Sequence, residues 1–313
     1  MSLDNNFFDI RYVKLHFVIE FIEDCMVPVY KASALRGGMG EMLLRANCVR
    51  DRNCERCDFE TECIVRRTMY SKMEITPTFM ASNDSVGYVI ECEDYHEQFY
   101  EGEQLQFNLI LFGKTIVYFS QFLNAFYALG MNGLGKEHGR YRIVAVTNTK
   151  GITILNGADV NMRNYEIQRV SDYIQYRKKQ PKAESGQYII KFQSPLAIKY
   201  RGEELDEFNM EAIIESACRR IYMLDCFEGI ESTIHDKEYI DTLEVPETIS
   251  EEHRYAKIRR YSERQRSAMY LKGIEGSLTV KNISDELLEI LLACELIHVG
   301  KNTSFGFGRY RIV

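Results

Sequence analysis

The sequence predicts an α+β chain built of two tandem ferredoxin-like (RRM-like) β-α-β-β-α-β domains, the first carrying a small metal-binding cysteine insert. Three observations lead there. Strand-like and helix-like stretches follow one another in the same order twice along the chain. The phrase GRYRIV occurs at 139–144 and again at 308–313, each time after a glycine-rich run. The length, 313 residues, suits two domains of ordinary size.

Each half opens on a strand rich in β-branched and aromatic residues: IRYVKLHFVIEF (10–21) in the first, GQYIIKFQSPLAIKY (186–200) in the second. A helix follows each. KASALRGGMGEMLLRA (31–46) has helical spacing, although Gly37, Gly38 and Gly40 cost it about 1 kcal/mol apiece. In the second half Met210, Ile213, Ile214, Ala217, Ile221 and Leu224 mark the helix. Strand pairs come next, SVGYVIECE with EQLQFNLILFG and HRYAKIRRYSERQ with AMYLKGIEGSLTV. Second helices carry Ile116, Phe119, Leu123 and Phe126 in one half and Leu287, Leu288, Leu291 and Leu292 in the other. The closing strand is GRYRIV in both. This order is the ferredoxin-like unit, and two copies make an internal repeat. The expected domains are 1–165 and 187–313. The polar stretch YRKKQPKAESG gives a linker over 166–186. GITILNGADV (151–160) can still belong to the first half.

Hydrophobic content of 45% and charged content of 27% are those of a globular chain with two cores. No apolar run nears ~18 residues and the start lacks a signal layout, so no membrane span and a cytoplasmic location are expected. A net charge of −7 argues against a general nucleic-acid binder. The charge is uneven, however. Arg254, Lys257, Arg259, Arg260, Arg264 and Arg266 face one acid, Glu263, within 254–266. Such a stripe can serve a polyanion locally.

Of the nine cysteines, Cys48, Cys54, Cys57 and Cys63 cluster as C-x5-C-x2-C-x5-C within an insert over 47–66. The central pair is a two-ligand knuckle and the flanking pair can complete a tetrahedron. The insert has too few apolar residues for a core of its own, so a metal would supply what packing cannot. Structural zinc is expected, with an iron–sulfur cluster left open. Disulfides are disfavoured in a cytoplasmic chain. Cys25, Cys92, Cys218, Cys226 and Cys294 sit among apolar residues as core cysteines.

RRYSERQRSAMYLKGIEGSLTV, the leucine-rich helix after it and ELIHVGKNTSFGFGRYRIV resemble the C-terminal domain of the CRISPR-associated endoribonucleases that cut precursor CRISPR RNA, members of the RAMP superfamily. ALRGGMGEMLLRANC with the cysteine cluster resembles that family's arginine-glycine helix and four-cysteine insert. Between 70 and 250 the resemblance is architectural only. It implies cleavage within repeats without a catalytic cofactor. The ribose 2′-OH attacks the adjacent phosphate and leaves a 2′,3′-cyclic phosphate and a 5′-OH. The implied partners are CRISPR repeat RNA, single-stranded or hairpin, and subunits of a CRISPR effector complex; a homodimer is left open. Two alternatives stand beside it: a non-catalytic RNA-binding subunit of an effector complex, and a small-molecule enzyme on the same scaffold.

The resemblance assigns the grip on RNA to the terminal loop. Gly300, Gly306 and Gly308 would let backbone N–H groups approach a phosphate, with Lys301, Thr303, Ser304 and Arg309 adding charge and hydroxyls. Arg36, Arg260, Arg264 and Gln265 would face the strand, and Tyr261 would stack on a base. Cleavage needs a base, an acid and positive charge. His298 is the first candidate for proton transfer, because alternation turns it away from Ile297 and Val299 beside the loop. His16 and His138 are in reserve. Family members often draw catalytic groups from the start of the first helix. Here that region offers Tyr30 and Lys31, suited to orienting the 2′-OH and stabilising charge, but no histidine.

Overall fold

The computed structural model describes residues 7–52, 54–70, 73, 75–79, 86–157, 159–180, 186–262 and 267–313. The first half is organised on a long central strand, β1 (Arg11–Phe21), in which Val13, Leu15, Phe17, Ile19 and Phe21 are all buried. That period of two puts one apolar face against the helices. On one side β1 pairs with β3 (Gln104–Phe112), beyond which lies β2 (Tyr88–Glu91). On the other it pairs with β4 (Tyr141–Thr147), and β5 (Thr153–Asn156) extends the sheet further. Every pair is antiparallel. The segment 151–160 therefore continues the first sheet.

Two helices cover that face, α1 (Lys31–Asn47) and α2 (Phe119–Asn132). Phe17 stacks on Phe107 at 4.9 Å, and Phe126 of α2 tilts over the same pair. The glycines of α1 have a packing reason. A Cβ on Gly38 would lie 2.5 Å from Leu129 of α2, and one on Gly40 2.5 Å from Met69. Closeness to neighbours offsets the propensity they cost the helix.

The second half repeats the plan. β6 (Gln187–Phe192) is central, between β8 (Ser267–Lys281) and β9 (Tyr310–Ile312), with β7 (Glu247–Ser262) beyond β8. Its core is filled by α4 (Met210–Glu228) and α5 (Asp285–Ile297), through Ile213, Ala217, Leu224, Leu287, Leu291 and Ile297. β7 and β8 pair along their whole length, from Glu247↔Lys281 to Ser262↔Ser267. Ser277–Lys281 of β8 meets β6, Ile274 bridges to Leu196, and Leu271 packs into the core of the first half.

The stretch 166–186 is more than a linker. It contains α3 (Val170–Lys178), docked on α5 by a buried ion pair. Arg177 donates to Glu295 at 2.6 and 3.0 Å and to the Ile312 carbonyl at 2.7 Å. Tyr173 donates to Glu295 at 2.9 Å. Its charged residues suggest a solvated segment, and tertiary pairing overrides that pattern. Residues 181–185 lie outside the described residues. Among the described residues no helix is long and apolar enough to cross a membrane.

Candidate functional site

The glycine-rich loop after α5 runs between the two halves. Gly300, Gly306 and Gly308 all have positive φ, at 86°, 83° and 71°. Added Cβ atoms would lie 2.5 Å from the Ala197 carbonyl, 2.7 Å from that of Ile90 and 1.7 Å from that of Val299. The glycines thus let the loop approach the protein's own backbone. Several of its amides bond to the chain itself: Lys301 N donates to Ala197 O (2.7 Å), Phe305 N to Asn302 O (2.9 Å), Gly306 N to Thr303 O (2.8 Å) and Gly308 N to Pro195 O (2.9 Å). Thr303 and Ser304 are buried. The two hydroxyls expected to face RNA are thus turned into the protein, while Lys301 is exposed.

His298 is also corrected. It ends α5 with φ 62°, which turns the side chain inward, and it is wholly buried. Nδ1 lies 2.9 Å from the Phe307 carbonyl and Nε2 3.1 Å from Oε1 of Glu91. Burial pushes the pKa of the imidazole down, against the pull of Glu91. Glu91, at the end of β2, also takes Lys14 (2.8 Å), Asn108 (2.9 Å) and Arg309 (3.4 Å). Burial pushes its pKa up, but Lys14, His298 and Arg309 together hold it well below the usual range. Lys31 is likewise buried, its ammonium on Asp94 Oδ1 and the Asp94 carbonyl, each at 3.1 Å, and on the His96 carbonyl. Neither side chain is presented to a substrate.

Tyr30 is buried as well, but it borders a cleft. Its ring stands edge-on to Phe307 at 5.5 Å, and burial raises its pKa. It lines a cleft of about 890 Å³ between the halves, shared with Tyr95 and with His253, Lys257 and Arg259 of β7. Tyr95 closes one edge by donating to the Gln193 carbonyl at 3.3 Å. Sequence reasoning finds the basic stripe but misses Tyr95, hidden in an acidic stretch, and leaves His253 unassigned. Nearby, Arg36 and Arg260 both lie against the ring of Phe305, at 4.5 and 4.6 Å. Burial, and then Arg36, push the pKa of Arg260 down. Arg264 and Gln265, and the side chain of Tyr261, fall outside the described residues.

Cys48, Cys54, Cys57 and Cys63 all border one small cavity of about 20 Å³ and are unbridged. The donor set suits zinc. The geometry is not closed: among the described residues no three Cys, His, Asp or Glu converge as a metal would require. The surrounding arginines serve carboxylates, with Arg50 on Asp58, Arg66 on Glu60 and Arg52 on Glu41.

Residues 10–167 match the model of the AF_1859_N N-terminal domain, and residues 190–310 match the model of the CRISPR-associated endoribonuclease Cas6. The first of these models takes in half of the chain, which belongs to that family; the Cas6 model takes in most of the second half. Solved structures share the chain's fold. A partial Cas6-RT-Cas1–Cas2 complex superposes on all of this chain with a TM-score of 0.60 at 12% identity; the match takes in 47% of that longer chain. The product complexes of Cas6 (TTHB231) from Thermus thermophilus and of Cas6 (TTHA0078) give TM-scores of 0.53 and 0.52 at 14% and 16% identity. They cover 96% and 97% of this chain and 99% of their own. No curated protein matches the sequence.

Proposed function

We propose that this chain is a Cas6-type endoribonuclease that cuts precursor CRISPR RNA within its repeats, independently of metal. The 2′-OH attacks the neighbouring phosphate, giving a 2′,3′-cyclic phosphate and a 5′-OH. The cleft between the halves is the observation that carries this reading. It offers rings (Tyr30, Tyr95) and cations (Lys257, Arg259) along one groove, beside Phe305 with its two arginines. Single-stranded RNA asks for that combination, rings for bases and cations for phosphates. The glycine loop serves by holding Phe305 against Arg36 and Arg260. Repeat RNA is the partner, with subunits of a CRISPR complex beyond it, in the cytoplasm. The four cysteines would hold a structural zinc, or an iron–sulfur cluster, that folds the insert.

Incubation with repeat RNA in excess chelator tests this. Cleavage is expected, with a cyclic phosphate on the upstream product by mass, and a 2′-deoxy sugar at the cut should block it. Cleavage only on adding magnesium would overturn the reading.

A second reading, a non-catalytic RNA-binding subunit, is favoured by one observation: His298 and Lys31 are both sequestered. Tight binding of a repeat left intact would select it.

A further inference from the structure

We propose that His253 is the general base for the 2′-OH in this cleft. The inference rests on the ribonuclease reading and names the group that His298 cannot be. Of the six histidines, His253 is the one on the cleft wall. His298 has both ring nitrogens engaged. His16 is held on the sheet by Asn108 at 2.9 Å. His235 is packed against Phe79 and Tyr222, at 5.1 and 5.6 Å. His96 and His138 are exposed outside the cleft lining.

The surroundings of His253 suit proton transfer. Its Nδ1 lies 3.0 Å from Oε1 of Glu251, two residues back on the same face of β7. A carboxylate there fixes the proton on Nδ1 and leaves the Nε2 lone pair as the base. Both side chains are about one-third exposed, 33% for His253 and 30% for Glu251, so a ribose can reach the ring. Phe208 stands edge-on to the imidazole at 6.1 Å and sets its plane. Directly across the ladder from His253 is Gly276, with no side chain to cover the ring. That glycine is required there, because a Cβ would come 1.9 Å from the Glu252 carbonyl. Further along the same face come Lys257, about 13 Å away at strand rise, and Arg259. They are placed to hold flanking phosphates. Arg254, which also lines the cleft, is already paired there with Glu275 at 2.6 Å.

In the step, Nε2 takes the 2′ proton as O2′ bonds to phosphorus. The P–O5′ bond breaks, O5′ takes a proton from water, and the imidazolium returns its proton to solvent. Nothing is oxidised or reduced.

The test is single-turnover cleavage of repeat RNA in chelator, across pH, for the parent, H253A and E251Q. H253A is expected to be at least 100-fold slower, within the range for losing a general base. Its Kd for a 2′-deoxy, uncleavable repeat should stay within twofold of the parent. Imidazole in the buffer should restore part of the rate, which a misfolded variant would not show. E251Q should slow the cleavage step while leaving that Kd unchanged, and imidazole should not restore its rate. A parent that cuts and an H253A that cuts equally fast would overturn this inference alone. A parent that binds the repeat and leaves it intact would overturn the ribonuclease reading and His253 with it.

Discussion

Nε2 of His298 sits 3.1 Å from Oε1 of Glu91, across 207 residues of sequence and out of reach of solvent. Glu91 belongs to the first sheet and His298 to the end of the last helix, so their contact fastens the two halves. Lys14 and Arg309 meet on the same carboxylate, one from each half. A buried group of this kind adds little net stability compared with apolar packing, but breaking it is costly. Glu91→Ala takes the buried carboxylate away from Lys14, Arg309 and His298 and should cost about 3–5 kcal/mol, read from urea unfolding. Glu91→Gln keeps the shape and should cost less.

Acid should loosen the same contact. The folded pKa of Glu91 is held well below its usual value, so its contribution is present above about pH 4.3, the ordinary value, and is lost as pH falls through the folded one. Stability of the parent should therefore drop below about pH 4 more steeply than that of Glu91→Gln. Parallel slopes would remove Glu91 from that role.

The glycines divide into two kinds. Gly308 has φ 71° and no room, with a Cβ falling 1.7 Å from the Val299 carbonyl. Gly308→Ala should cost upwards of about 3 kcal/mol from backbone strain and displacement. Gly37 lies in α1 with nothing within 4 Å of its would-be Cβ. Gly37→Ala should stabilise by about 0.5–1 kcal/mol on helix propensity. Thermal melts of the two variants should move in opposite directions.

These contrasts show what the sequence carries. The twin order of strands and helices was legible because period-two and period-3.6 patterns are local, and Val13 to Phe21 or Met210 to Leu224 declare their faces unaided. The docking of α3 was not, since Arg177 becomes a buried residue only by meeting Glu295, 118 residues away. His298 misled for a similar reason. Alternation is a rule for strands, and here a positive φ at a helix end turns the ring toward Glu91. Three glycines in a loop signal close approach, but not whether the thing approached is a phosphate or the chain itself.

The cysteine insert should load zinc. Elemental analysis of protein purified without chelator should give one equivalent, and Cys54→Ser with Cys57→Ser should abolish it. Strong chelation should lower the melting temperature, because metal binding doubles as folding energy for a loop without a core. The cleavage rate of the remaining folded protein should be unchanged. An iron–sulfur cluster would instead show visible absorbance and acid-labile sulfide.

Arg260 and Phe305 should separate charge from stacking in RNA binding. Arg260 is partly buried beside Arg36, which lowers its pKa, so a phosphate arriving there would relieve repulsion between two cations. Arg260→Ala should weaken binding at low salt and reduce the slope of log K against log salt by about 1. Phe305→Leu keeps apolar bulk but removes the aromatic face that both guanidiniums lie against. It should weaken binding at every salt concentration and leave the slope alone, because no charge is lost. Titrations of an uncleavable repeat at several salt concentrations distinguish the two. An unchanged slope for Arg260→Ala would mean that no phosphate is held there, and the RNA path would have to be drawn through the cleft without that rim.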